Sequence, residues 1–318
     1  MKKILIPEDI ADAGKQYLTE RGYELKVGVP TDEETLTREL MDADGLIVRN
    51  ARYRKCVFEH SPTLKVIGRH GTGTDNIDVK AAEELGIWVV NGPVANINTV
   101  AEYTIAQLLA LGTGLLDSDR ATRAKDWMYR LTFRRHELQG STLGVIGYGN
   151  IGKLVAKKAA LGLDMNVIVY DIRAGQADIP GVTVTDDMDM LLSKSDYVTL
   201  HIPSTDSTRH MFNKEMFGKM KEGSCFINCA RGDLYVETDL ADALESGHLR
   251  GAALDVYEQE PLKESRLLDM EQVILSQHNA GLSEESKAKM SLYAAMGVDQ
   301  ILSGKEPKWP VNHPKMKR

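Results

Sequence analysis

The chain has 318 residues, 42% hydrophobic and 27% charged, with a formal net charge of -7. This is the balance of a globular protein with room for about two domains, and its sign gives no general attraction to nucleic acid or to an anionic membrane. Cysteines number only 3 (Cys56, Cys225, Cys229) and lack metal-ligand spacing, which argues against a disulfide framework or zinc site and points to a reducing, cytoplasmic setting.

Met1-Lys2-Lys3 runs straight into the strand-like Ile4-Leu5-Ile6, so no targeting leader is expected. Short runs rich in β-branched residues follow at Gly45–Val48, Lys65–Gly68 and Ile87–Val90. Between them lie helical patterns at Glu33–Met41, opened by a capping box of Thr31 and Glu34, and at Val79–Leu85. Val100–Leu116 is the most apolar stretch, but Glu102 and Gln107 make it too polar for a membrane span, so it predicts one buried helix. A polar segment, Asp117–Gly140, separates it from a second alternating series. The strands predicted there are Leu143–Ile146, Asn166–Tyr170, Tyr197–Ile202, Cys225–Asn228, Gly251–Asp255 and Val273–Ser276, before a last helix near Ser283–Leu302. Strands alternating with helices in this way predict parallel sheets, and six in succession fit a doubly wound nucleotide-binding domain. The short basic pairs Arg134-Arg135 and Lys157-Lys158 read as solvated surface.

Gly147-Tyr148-Gly149-Asn150-Ile151-Gly152 is a G-x-G-x-x-G run between an apolar strand and a helix pattern at Lys153–Leu161, and a second strand then ends at Asp171. The unit as a whole is specific for a dinucleotide. Gly147 permits the tight turn, Gly149 lets the backbone approach a pyrophosphate, and Gly152 lets helix and strand pack. The helix N-terminus offers free N–H groups to phosphate. Asp171 can accept from the ribose hydroxyls and would repel a 2′-phosphate, which favours NAD over NADP, although Arg173 stands two residues on.

Three later motifs sit at predicted strand ends: Asn228-Cys229-Ala230-Arg231-Gly232, Asp255-Val256-Tyr257-Glu258-Gln259-Glu260-Pro261 and His278-Asn279-Ala280-Gly281. In an open α/β sheet ligands bind at such carboxyl ends. In this order the motifs resemble those of the D-isomer-specific 2-hydroxyacid dehydrogenase family, with a phosphoglycerate dehydrogenase-like branch possible, and the resemblance runs from about Gly45 to the end of the chain. It implies Arg231, Glu260 and His278 as the catalytic set. The chemistry agrees: an imidazole exchanges protons near neutrality, a carboxylate hydrogen-bonded to it favours the imidazolium, and an arginine can pair with a carboxylate and polarise a carbonyl. The cofactor is expected to be NAD, held by Gly147, Gly149, Asn150, Ile151, Gly152, Asp171, Cys229, Ala230, Asp255 and Gly281. Asp255 reads equally as a helix N-cap. Gln277 stands where the family usually has proline, which bears on the stiffness of that loop.

The turn His70-Gly71-Thr72-Gly73-Thr74-Asp75-Asn76 resembles the family's substrate loop, with a plain turn capped by Asp75 or Asn76 as the competing reading. Arg49, Thr72, Gly73 and Asn96 are therefore the expected substrate contacts. Arg49, with Arg52 and Arg54 nearby, leaves a phosphorylated substrate open, although a solvated basic loop explains these residues equally well. The resemblance implies an α/β fold of two doubly wound parallel-sheet domains, a Rossmann cofactor domain inserted into a smaller flavodoxin-like substrate domain. Residues 1–100 and 287–318 would form the substrate domain and 101–286 the NAD-binding domain. It further implies a homodimer through the apolar helix from Val100 and the segment after it, a small 2-oxo or 2-hydroxy acid as substrate, and neither metal, nucleic acid nor membrane as partner. A competing reading from another class is an NADH-sensing binding protein of the corepressor type.

Overall fold

A computed structural model describes residues 1–132, 135–173, 175–177 and 179–315. Arg134 of the basic pair lies outside the described residues. The chain divides into two compact units, Met1–Ile97 with Leu282–Arg318, and Asn98–Gly281.

The first unit is built from β1 (Lys3–Ile6), α1 (Asp12–Thr19), β2 (Glu24–Val27), α2 (Glu33–Glu39), β3 (Gly45–Val48), α3 (Lys55–Phe58), β4 (Val66–Arg69), α4 (Val79–Glu84) and β5 (Trp88–Val90). Its strands are all parallel, in the order β2-β1-β3-β4-β5, a flavodoxin-like arrangement. Both faces are covered, so the central strands are apolar throughout rather than alternating. Leu5, Leu46, Val48, Ile67 and Val89 face one helical layer, while Ile4, Ile6, Ile47, Val66 and Val90 face the other.

The second unit continues with α5 (Ile97–Thr113), α6 (Leu115–Arg123), α7 (Tyr129–Thr132), β6 (Thr142–Ile146), α8 (Asn150–Gly162), β7 (Asn166–Tyr170), β8 (Val182–Thr185), α9 (Met188–Lys194), β9 (Tyr197–Leu200), α10 (Lys214–Lys219), β10 (Ser224–Asn228), α11 (Glu237–Glu245), β11 (Leu249–Leu254) and β12 (Val273–Leu275). Its seven parallel strands run β12-β11-β10-β9-β6-β7-β8, the Rossmann order with one strand added at an edge. The chain reverses direction across the sheet between β6 and β9. Phe212, Phe217, Phe226 and Tyr235 pack edge-on or tilted beneath one face, with ring centroids 5.2 to 5.9 Å apart. Finally α12 (Glu284–Leu302) returns to the first unit, where Ala294, Ala295, Val298 and Leu302 are buried beside Ile4, Ile47 and Val66. Residue 100 lies inside α5 and residue 287 inside α12.

Three expectations are corrected. Strands β2 and β8 were not predicted, and the cofactor sheet has seven strands rather than six. Both are edge strands whose residues are mostly or partly exposed, so neither carries a buried apolar run. The single helix over Val100–Leu116 breaks at Gly114, whose φ of 58° is left-handed. The next helix, α6, extends into the polar segment that follows, and Leu115 and Leu116 are exposed. The cap of α2 is Asp32, accepting from the Thr35 N–H at 2.9 Å, and not Thr31. Among the described residues no single helix is long and apolar enough to cross a membrane.

Candidate active site

The dinucleotide turn joins β6 to α8 at the point where the strand order reverses. Gly147 has φ 100°, and a methyl group there would lie 2.4 Å from the His201 carbonyl oxygen. At Gly152 a methyl group would lie 1.9 Å from the Gly147 carbonyl oxygen, so any side chain forces turn and helix apart. Gly149 is different: it is exposed, and a methyl group would meet nothing within 4 Å. That open space above backbone N–H groups, at the start of a 13-residue helix, fits a pyrophosphate. Asn150 opens the helix and is exposed, and the half-buried Ile151 packs beside Val100, Cys229 and Ala280. Asp171, just past β7, accepts from the Tyr148 N–H at 2.7 Å and from the Arg173 N–H at 2.7 Å. Two backbone donors thus orient its carboxylate, and lone pairs remain for ribose hydroxyls.

Past β10 the chain turns sharply. The fully buried Asn228 holds the turn from within: its amide donates to the Arg231 carbonyl at 2.8 Å and its oxygen accepts from the half-buried Ala230 N–H at 2.9 Å. Arg231 leaves the turn with Nη1 on the Ala230 carbonyl at 2.6 Å. The Cys229 thiol is buried, 3.0 Å from Gln107 Oε1, and burial pushes its pKa up to about 12. It is therefore protonated and no nucleophile.

His278 and Glu260 come together, with Nδ1 of the ring 2.7 Å from Glu260 Oε2. The other carboxylate oxygen accepts from the Tyr257 N–H at 3.1 Å. Burial favours the neutral acid, but the hydrogen bond and charge of His278, the Tyr257 N–H and the Arg231 charge outweigh it and hold Glu260 below its ordinary pKa. Glu260 is therefore ionised throughout the neutral range. His278 has φ 50°, a left-handed backbone that a side chain adopts at a cost of roughly 1–2 kcal/mol.

What holds that backbone is Asp255. Its carboxylate, 1% exposed, accepts from the Ser276 hydroxyl at 2.6 Å, the Asn279 N–H at 2.9 Å and the Ala280 N–H at 2.8 Å. These donors flank His278 on both sides, and the half-buried Gly281 follows them. The next α-helix after Asp255 starts only at Glu284, so the N-cap alternative is overturned. Removing such a carboxylate would strand buried donors at about 1–3 kcal/mol each. Sequence reasoning did not single out Ser276 or Tyr257, and Asn228 and Gly232 entered only as motif letters. Their roles depend on contacts across strand ends that spacing does not reveal.

In the first unit, Thr72 is exposed and its hydroxyl donates to Asn96 Oδ1 at 3.1 Å. The Gly73 carbonyl accepts from Arg69 Nε at 2.7 Å, and the Thr72 carbonyl from Asn91 Nδ2 at 2.7 Å. His70 is buried, and burial, followed by the Arg49 and Arg69 charges, pushes its pKa down to about 4, so the ring is neutral. Arg49 uses Nη1 on the Asp9 carbonyl at 2.7 Å. Neither Asp75 nor Asn76 caps α4: Asp78 does, and Asn76 instead donates to the Arg49 and Ala51 carbonyls at 2.8 and 2.7 Å.

Residues 105–280 match the family model for the D-isomer specific 2-hydroxyacid dehydrogenase NAD binding domain. A D-3-phosphoglycerate dehydrogenase of Methanocaldococcus jannaschii is 39% identical over 99% of this chain and 60% of its own length. One of Archaeoglobus fulgidus is 36% identical over 98% of this chain and 59% of its own. The chain thus spans about three fifths of these curated relatives. Among solved structures, the TT0316 protein of Thermus thermophilus superposes with a TM-score of 0.90 at 31% identity, covering 98% of this chain and 100% of that one. A glyoxylate reductase of Paecilomyes thermophila gives 0.88 at 29%, with 98% of each chain covered. The chain belongs to the D-isomer specific 2-hydroxyacid dehydrogenase family, and its cofactor is NAD.

Proposed function

We propose that the chain interconverts a D-2-hydroxy acid and its 2-oxo acid, with His278 as the proton donor and acceptor. The observation that carries this reading is the 2.7 Å pairing of His278 Nδ1 with Glu260, under the charge of Arg231. NAD supplies or accepts the hydride when bound, and Gly147, Gly149, Asn150, Ile151, Gly152 and Asp171 would hold it, with Cys229, Ala230, Asp255 and Gly281 nearer the reacting end. Glu260 takes the Nδ1 side of the imidazole, which leaves Nε2 to exchange the proton. In reduction, the carbonyl carbon gains the hydride while Nε2–H gives its proton to the carbonyl oxygen, and the neutral ring regains a proton from solvent. Ionised Glu260 accepts from Nδ1–H and so orients the ring for the step. Arg231 pairs with the substrate carboxylate and draws charge toward the carbonyl oxygen.

The substrate class includes 3-phosphoglycerate, hydroxypyruvate and glyoxylate, since relatives named for phosphoglycerate and glyoxylate both resemble the chain. Arg49, Thr72, Gly73 and Asn96 are the proposed substrate contacts. The reading includes a homodimer, supported by the exposed Leu115, Leu116, Trp127, Met128 and Leu131. Sedimentation as a monomer at micromolar concentration would remove that part.

A panel of 2-oxo acids with NADH, and of 2-hydroxy acids with NAD, tests the activity. The His278→Ala variant should keep NADH binding and lose about 10²–10⁴-fold in kcat. Turnover at the parental rate would reject His278 as the acid/base. NADH-dependent capture of a protein partner, without turnover of any acid, would replace the enzyme reading with a sensor.

A further inference from the structure

We propose that Tyr257 is a positioning residue for the proposed reaction, its phenol and backbone together setting the distance between the His278 and Glu260 side chains. The inference rests on the dehydrogenase reading and deepens it. Tyr257 touches all three strand-end segments that carry Arg231, Glu260 and His278. Its backbone N–H donates to Glu260 Oε1 at 3.1 Å. The phenolic O–H donates to the Ser276 carbonyl at 2.7 Å, two residues before His278, and its oxygen accepts from the Ser276 N–H at 3.1 Å. The Leu254 carbonyl, at the end of β11, lies 3.2 Å from the same hydroxyl. On the third side, a methyl group on Gly232 would lie 1.8 Å from the Tyr257 carbonyl oxygen, so the backbone just past Arg231 rests directly on Tyr257.

The ring is 7% exposed, and burial pushes its pKa up to about 12, so the hydroxyl stays protonated and able to donate at any working pH. Phenylalanine would fill the same volume and pack equally well. Asp255 also joins the two segments, but at position 257 only a hydroxyl adds a bond between them closer in sequence to Glu260. The last ladder bond is the Ser276 N–H on the Leu254 carbonyl at 3.0 Å, two residues before the histidine, so the ladder stops short of the His278 side chain. Asp255 fixes the backbone shape of the histidine loop from beneath, whereas Tyr257 ties that loop to the carboxylate that orients the ring.

The test is Tyr257→Phe, read in three ways. NADH affinity should be unchanged, because the substitution leaves the turn after β6 untouched. The kcat for 2-oxo acid reduction should fall on the order of tenfold to a hundredfold, the scale of a small misplacement of reacting groups, and the limb of its pH profile set by the histidine should shift. In NMR spectra the His278 Nδ1 proton held by Glu260, identified by its loss in His278→Ala, should broaden or move upfield. An unchanged kcat, pH profile and Nδ1 signal would overturn the proposal. So would a parallel loss of NADH binding and thermal stability, which would make Tyr257 a general prop. If the parent protein reduces no 2-oxo acid, the dehydrogenase reading fails, and the NMR comparison still decides the positioning role: an Nδ1 signal retained in Tyr257→Phe rejects it.

Discussion

The turn after β6 and the loop after β4 both place glycines at the carboxyl end of a parallel strand, yet they are built from different materials. The first has few side-chain braces, chiefly the Asp171 carboxylate on the Tyr148 N–H, with the His201 carbonyl pressed against Gly147. Its shape follows from Gly147 and Gly152, and it presents the open backbone of Gly149 at a helix N-terminus. The second is held by side chains: Arg69, at the end of β4, on the Gly73 carbonyl, Asn91 on the Thr72 carbonyl and Asn96 on the Thr72 hydroxyl, while the loop's own Asn76 ties it to the loop after β3. A turn with few braces serves an invariant ligand part such as a pyrophosphate. A loop braced by side chains changes shape whenever one brace changes, which suits a site that must distinguish among similar acids.

The comparison breaks most sharply at Gly152. A Gly152→Ala variant should lose NADH binding altogether, or fail to accumulate as folded protein, because the new methyl group has only 1.9 Å to the Gly147 carbonyl. Fluorescence titration with NADH checks this, and near-parental affinity would mean the turn is looser than its geometry. Removing a brace from the other loop should act on a different constant. Arg69→Met should raise KM for the 2-oxo acid by about tenfold, the worth of roughly one hydrogen bond to a charged group, and leave the Kd for NADH alone. A matched rise in both constants would contradict the division of labour. The smallest effect is expected at Asp171: Asp171→Ala should narrow the preference for NADH over NADPH by several-fold, about 1 kcal/mol for a like charge withdrawn from a half-buried, solvent-screened site. An unchanged ratio of kcat/KM values would show that the cofactor is selected elsewhere.

The same contrast explains what was legible beforehand. The fold class could be read because buried parallel strands are continuous apolar runs, and the dinucleotide turn because its determinants are contiguous. Edge strands β2 and β8 escaped notice because a half-exposed strand has no such run. The helix break at Gly114 escaped because the apolar residues run on past it and nothing local marks that glycine as left-handed. Within the candidate site, residue types and order pointed to Arg231, Glu260 and His278. The supports were hidden, since Asp255 reaches 21 to 25 residues along the chain to its partners and Tyr257 reaches 19 to Ser276. Long-range polar contacts leave no periodicity to read.

The left-handed backbone at His278 has a consequence for how this protein would respond to selection. Glycine or asparagine would occupy that conformation at less cost, so position 278 is one where stability and turnover pull in opposite directions. A library screened only for heat resistance should drift away from histidine there, and a library screened for turnover should keep it and recover stability elsewhere. The conformation that aims the imidazole is thus also the place where a more durable version of this fold would most readily lose the proposed proton donor.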